Sequence, residues 1–183
     1  MAAIRKRTRD LILEVFETQL KTMPFEDIRV SAICQDCGIE RPHFYYYFKD
    51  KYDLSCCYFI ESQRKAVEAG LASQASFKEL LSIAFNTVAD NKSIYQRLMR
   101  YRGSNSMFYK LSEFTHDYTQ YLLKHWNRNI TLSEKEAEQL KFYCYAFTGI
   151  LLTWYMEDIA TPPEYLIRLT YDNIPTDLKK YFP

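Results

Sequence analysis

IRVSAICQDCGIERPHFYYYFKDKYDL, residues 28–54, is the stretch whose reading decides the fold. Val30–Cys37 is a short run in which Ile33 and Cys37 stand four apart, which puts both on one helical face. Gly38 follows, and a glycine there can take the left-handed conformation that ends a helix. Ile39 turns back toward the core, and residues 41–48 carry a second pair at the same spacing, Phe44 and Phe48. Pro42 is tolerated because the first turn of a helix has no use for the N–H that proline lacks. Two short helices joined by a glycine turn, then a charged hinge and a longer helix, make a helix-turn-helix. That compactness suits a DNA reader, whose second helix must stand proud enough for side chains at its start to reach base edges in a major groove.

The surrounding sequence agrees with a helical chain. At 183 residues it can bury a sizeable core as one domain or two small ones. Only 4 glycines and 6 prolines favour helices with short connections over strands and turns. Net charge is +1, which exerts no general pull on nucleic acid, and residues 1–55 carry nine basic and nine acidic side chains. Placement matters more: Arg5, Lys6, Arg7 and Arg9 precede the first acid, while Arg41, Lys49 and Lys51 flank the second short helix. The charged start is not followed by the apolar core of a secretory signal. The longest charge-free run, residues 142–156, is 15 residues and too short to cross a membrane. Five cysteines without an export signal read as reduced thiols, so the expected compartment is the cytoplasm.

Residues 33–54, ICQDCGIERPHFYYYFKDKYDL, resemble the helix-turn-helix of TetR-family transcriptional regulators. The family pattern is an apolar short helix, a glycine turn, an aromatic-rich reading helix ending in Tyr-Tyr-His-Phe, and a Lys-x-Lys-x-x-Leu start to the next helix. Here it becomes Tyr45-Tyr46-Tyr47-Phe48 and Lys49-Asp50-Lys51-Tyr52-Asp53-Leu54. The motif covers about the first third of the chain, and the remainder agrees in length and helical character. The resemblance implies an all-α fold, with a three-helix DNA-binding head over residues 1–50 and a helical effector-binding and dimerisation domain over 51–183. It also implies roles within residues 29–51. Arg41 would pair bidentately with guanine and Pro42 would touch a thymine methyl. His43, Tyr45 and Tyr46 would meet phosphates or bases, and Lys49 and Lys51 would neutralise phosphates. Arg29 and Ser31, where the first short helix begins, belong to the same DNA-binding set. Three positions depart from the pattern. Glu40 stands where a serine cap is common, Tyr47 replaces a frequent His, and Arg29 replaces Ser or Thr, leaving Asp27 or Ser31 to cap.

Around this unit, Thr8 is positioned to cap a first helix over residues 8–21 that buries Leu11, Ile12, Val15 and Phe16. The helix after the hinge is expected to close at Gly70. Ser76 and Glu79 form a capping box before Leu80, Leu81, Ala84, Phe85 and Val88. Breaks at 90–93 and 103–106 bound a short helix over 94–101, and a longer one carries Phe108, Leu111, Tyr118, Leu122 and Trp126. A second capping box, Ser133 with Glu136, opens a helix that is apolar on several faces, and Pro163 starts the last one. Apolar faces beyond one need a second cover, which a second subunit can supply. Gly149 costs such a helix about 1 kcal/mol against alanine, which makes sense where another backbone approaches. These two helices resemble the four-helix dimer interface of TetR proteins, with Phe142, Gly149, Leu152, Tyr155, Tyr165 and Leu169 on it. Two reading helices about 34 Å apart would then address a pseudo-palindrome.

For an effector the candidates are Tyr58, Phe85, Tyr95, Met99, Phe114, Tyr118 and Tyr143, since 16 tyrosines suit an apolar site with hydrogen-bonding tips. The competing reading makes them core. Cys34 and Cys37 form a lone C-x-x-C without a second spaced pair, so no metal or cofactor is expected. Nor is there a glycine-rich phosphate loop, a nucleophile motif or a convergent acid pair that would suggest an enzyme. The sequence therefore points to a homodimeric, sequence-specific regulator binding duplex operator DNA, a repressor released by a small molecule. The alternative is a regulator or coactivator controlled by a protein partner and lacking a small-molecule pocket. No membrane partner is expected.

Overall fold

A computed structural model describes residues 2–99, 105–157 and 159–183, with side chains from residue 7 onward apart from 99–107 and 158. The described residues form helices joined by turns and loops, with no strand among them, and fall into two compact units. Met1–Glu61 with Ser93–Gly103 form the first, and Ser62–Lys92 with Ser104–Pro183 the second.

In the first unit α1 spans Ala2–Thr22, beginning well before Thr8. Thr8 is thus inside the helix and does not cap it, because Ala2, Ala3 and the basic residues after them are good helix formers. α1 buries Ile12, Leu13, Phe16 and Leu20. A 3-10 turn, Phe25–Asp27, leads into α2 (Val30–Cys37) and α3 (Arg41–Tyr47). Between them Gly38 is left-handed at φ 65°, with Gly38 N–H donating to Gln35 O and Ile39 N–H to Cys34 O, which satisfies the last carbonyls of α2. Asp50 then caps α4 (Lys51–Ala72) through Oδ1, which accepts from the N–H groups of Tyr52 and Asp53. α6 (Lys92–Met99) also belongs here: Tyr95 packs edge-on against Phe59, and Arg97 donates to Leu20 O at 2.8 Å, satisfying a carbonyl in the last turn of α1.

α4 does not stop at Gly70. It continues to Ala72, and the left-handed residue that ends it is Gln74, φ 60°, with Ala75 N–H bonding Gly70 O and Gln74 N–H bonding Leu71 O. Gly70 serves close packing instead, since a Cβ there would come within 2.4 Å of Ile83 and 2.9 Å of Leu80 on the next helix.

The second unit is built from the later half of α4 with α5 (Phe77–Asp90), α7 (Asn105–Trp126), α8 (Glu134–Met156) and α9 (Pro163–Asp172). Both capping boxes are formed, at Ser76–Glu79 and Ser133–Glu136. The connection from α5 to α6 is shorter than expected, the single residue Asn91, and Asn105 and Ser106 are already helical; residues 103 and 104 of that expected break lie outside the described ones. α5 packs on α9 and α7 on α8. Phe85 is wedged against Phe147 and Trp154, and Trp154 Nε1 donates to Thr161 O, pinning the approach to α9. Beyond α9 the chain folds back. Ile174, Leu178 and Phe182 are buried, the Phe182 ring lies 4.5 Å from Phe77 and 6.4 Å from Trp126, and Phe77 N–H donates to Pro183 O.

Glu136 joins this tail to α8. Its carboxylate accepts from Ser133 N–H and Oγ at one oxygen, and from Lys180 Nζ (2.9 Å) and Tyr181 OH (3.2 Å) at the other. Four donors, the Ser133 backbone foremost, hold its pKa down from the ordinary 4.5 to about 2. The stabilisation is therefore complete above pH 4.5 and is lost as pH falls through about 2. Glu136→Gln should be less stable at neutral pH and should show a shallower loss of melting temperature between pH 4.5 and 2 than the parent chain. At Gln74 a glycine relieves a left-handed penalty of about 1–2 kcal/mol and returns about 0.4–1 through unfolded-state entropy. Gln74→Gly should accordingly raise the denaturant midpoint by about 0.5–1 kcal/mol of stability, with an unchanged slope.

Candidate nucleic-acid interface

The spacing of Phe44 and Phe48 orients α3. Both are fully buried, their rings 5.7 Å apart, and burying each is worth about 1.5–3 kcal/mol. Arg41 at the first position and Pro42, His43, Tyr45 and Tyr46 around the rest of the helix are all exposed, Tyr45 at 53% and Tyr46 at 61%. These aromatic rings are braced from behind: Tyr45 stands edge-on to Phe44 and Tyr46 edge-on to Tyr47, 5.0 Å apart. Lys49, Arg29 and Ser31 are exposed as well. Neither Arg29 nor Glu40, the residues at the N-caps of α2 and α3, makes a side-chain cap bond, so Asp27 and Ser31 do not take over as the N-cap of α2. Neither helix carries an acid in its first turn, though Glu40 stands at the N-cap of α3.

One expectation in this region needs correcting. Lys51 is not free to neutralise phosphate: its ammonium donates to Phe25 O, Glu26 O and Ile28 O at 2.9–3.1 Å, which uses all three protons. Position could have revealed this, because a lysine in a helix's first turn faces the positive end of the dipole and needs another reason to be there. Arg9, one of the four basic residues that precede the first acid, lies 4.0 Å from Glu61 and 5.9 Å from the Phe48 ring. Arg7 is exposed, while the side chains of Arg5 and Lys6 lie outside the described ones.

The cysteines of the head are held as thiols. Burial raises Cys34, partly offset by the Arg41 guanidinium, and burial with the neighbouring Cys34 and Asp36 pushes Cys37 up to about 11.

On α8 the core side holds Leu140, Tyr143, Cys144, Leu151 and Trp154. The other side leaves Phe142 77% exposed, with Ala146, Thr153 and Met156 in the open and Gly149 and Ile150 half-covered, so positions 142, 146, 149, 153 and 156 make one stripe at helical spacing. A Cβ at Gly149 would meet nothing within 4 Å. Leu169 of α9 joins Phe142, Ala146 and Ile150 around a shallow recess of about 300 Å³, and Tyr165 is 50% exposed. Leu152 is half-covered and flanks the stripe. Tyr155 does not belong to this face: it is 2% exposed, turned inward beside Trp154.

The aromatic residues proposed for an effector are mostly packing. In the first unit Tyr58 stands edge-on to Phe16, and desolvation with Glu17 nearby raises its pKa, while Tyr95 packs on Phe59. In the second, Phe85 is core and Tyr143 is buried with its hydroxyl donating to Thr170 O at 3.0 Å. Phe114, Tyr118 and Tyr121 stack along α7, with burial raising Tyr118 to about 12. The Met99 side chain lies outside the described ones.

Residues missed from the sequence are Lys51 as an internal clamp and the buried tail. Ile174, Leu178 and Phe182 are the large wholly apolar residues of a segment that is otherwise mostly polar, and that contrast was the signal available. Among the described residues no helix is long and apolar enough to cross a membrane.

The fold and this outward face can be set beside known proteins. Residues 76–175 match a TetR-type family model described as "Transcriptional regulator C-terminal region". No curated protein matches the chain in sequence. Among solved structures, it is similar to the dihydroxyacetone kinase operon activator DhaS, with TM-score 0.61 and 16% identity over 96% of this chain and 98% of that one. A tetR-family transcriptional regulator from Streptomyces coelicolor gives TM-score 0.56 and 16% identity, covering 91% and 78%. The fatty acid degradation regulator FadR from Bacillus halodurans gives 0.53 and 17%, covering 91% and 94%. With the family model spanning more than half of its length, the chain belongs to the TetR family of transcriptional regulators.

Proposed function

We propose that this regulator binds a specific duplex operator in the cytoplasm through residues 29–49, with residues 1–50 as the reading head and 51–183 for dimerisation and effector control. The observation that carries the reading is what α3 leaves outside. Phe44 and Phe48 anchor it in the core, while Arg41 at its first position and Pro42, His43, Tyr45 and Tyr46 along it stand exposed, with Lys49 just beyond. A helix so presented fits a major groove, with Arg41 as the bidentate reader of guanine and Lys49 as a phosphate contact. The apolar stripe of α8 with Tyr165 and Leu169 of α9 supports a homodimer, whose two heads would address a pseudo-palindrome. Repression relieved by a small molecule is the form of control we favour. Activation is the second reading, because the solved relative DhaS is titled an operon activator.

Selection of bound fragments from random duplexes tests the whole reading, with a two-fold symmetric site as the expected result. In mobility shifts against that site, Arg41→Ala should cost about 1–3 kcal/mol and relax preference at one base pair. Lys49→Ala should weaken all sequences alike and reduce the salt slope by about 0.9. For the dimer, Gly149→Leu meets nothing in its own protomer. It should therefore leave the protomer's melting temperature unchanged or higher while shifting sedimentation from dimer to monomer. A variant that stays dimeric would remove this face from the interface.

A further inference from the structure

Lys51 is the least expected cation of the head. Its ammonium, 4.8 Å from the Phe25 ring and 5.7 Å from that of Tyr52, donates to the carbonyls of Phe25, Glu26 and Ile28. Those carbonyls belong to the 3-10 turn and to the residue two before α2 begins, whereas Lys51 opens α4. The chain between Ile28 and Lys51 is therefore a closed loop, containing α2, the Gly38 turn and α3, with one side chain across its neck. Inside the loop the helices are short and Arg29 and Glu40 make no cap bonds; the Gln19 amide donates to Asp36 Oδ2 at 2.7 Å near the end of α2, while Lys51 ties the segment that leads into it.

We propose that Lys51 is a positioning residue for base reading: it holds the two ends of the helix-turn-helix loop together, so that Arg41 and the exposed edge of α3 are presented at one angle, and it does not itself touch phosphate. This rests on the DNA-binding reading above. Geometry favours an internal role because an ammonium has three protons and all three are placed on backbone oxygens. Burial also lowers the pKa of Lys51, the direction expected of a lysine drawn out of water. The role differs from that of Lys49, which is exposed and whose backbone N–H is fixed by Asp53 at 2.9 Å, leaving its side chain outside.

The test uses the full chain, a selected operator duplex and a random duplex of equal length, titrated over a salt series. It compares Lys51→Met, Lys51→Arg and, as a reference for a phosphate contact, Lys49→Ala. Positioning predicts that Lys51→Met loses about tenfold in operator affinity, the scale of one misplaced base contact, while random-duplex affinity stays within about twofold and the salt slope is unchanged. Lys51→Arg should fail in the same way, because a planar fork keeps the charge but cannot reproduce three bonds from one nitrogen. If Lys51→Met does not fold, the arginine variant decides alone: lost selectivity supports the role, and full selectivity overturns it. A salt slope that falls by about 0.9 in Lys51→Met and returns in Lys51→Arg would make Lys51 a phosphate contact and overturn the proposal. Unchanged operator affinity per folded molecule in both variants would reduce the clamp to a stability element and overturn it too. Parent protein with no salt-dependent duplex affinity would bring down the DNA reading itself, and the positioning role with it.

Discussion

Helices of eight and seven residues do not survive alone in water, where about 12–15 residues are needed even for good helix formers. α2 and α3 therefore exist only while their inner faces remain buried. Ile33, Cys34, Phe44 and Phe48 supply that burial, against a unit that also buries Ile12, Phe16, Phe25 and Leu54. Once those positions are committed inward, helical geometry leaves the alternate positions nowhere to go but outward. The exposed edge of Pro42, His43, Tyr45 and Tyr46 is thus a by-product of how the head is held together, with Arg41 exposed at the start of the same helix.

In the second unit the same constraint acts with a different outcome. α8 is long enough to be helical in its own right and rich enough in apolar residues to exceed what its neighbours can cover. Leu140, Cys144, Leu151 and Trp154 take up the inner side, and Phe142 remains 77% exposed. Polar groups finish the joints between helices. Thr148 bonds Thr115 across the α7–α8 seam, Tyr143 bonds the carbonyl of Thr170, and Glu136 gathers donors from the cap and the tail. Such bonds add little net energy each but would be costly to leave unmade in a buried seam.

What could be read from the sequence was what local chemistry dictates. The Gly38 turn, both capping boxes and the inward spacing of Phe44 and Phe48 each follow from residues within four positions of one another. Features set by distant neighbours were not legible. Gly70 could end a helix or let another approach, and only the position of Ile83 and Leu80 decides for approach. Tyr155 lies on a helix apolar all round, where pattern cannot choose a side, and Trp154 and its surroundings turn it inward. Lys51 next to Lys49 looked like one of a pair, yet it was separated from its neighbour by carbonyls more than twenty residues earlier. Tyrosine abundance suggested a pocket, and the partners of those tyrosines, the rings of Phe16, Phe59 and Phe114 and the carbonyl of Thr170, lie too far along the chain or depend too much on packing to be read from composition.

The fold-back of the tail bears on how the protein is made. A ribosome that has released α5 and α7 still holds Phe182, the ring that closes the gap beside Phe77 and Trp126. Throughout the synthesis of α8 and α9 those two side chains lack the ring that covers them in the folded chain. Closure of that end waits for residues 174–183 to be made, so a translational pause near residue 170 would prolong the interval in which chaperones or aggregation compete for that surface.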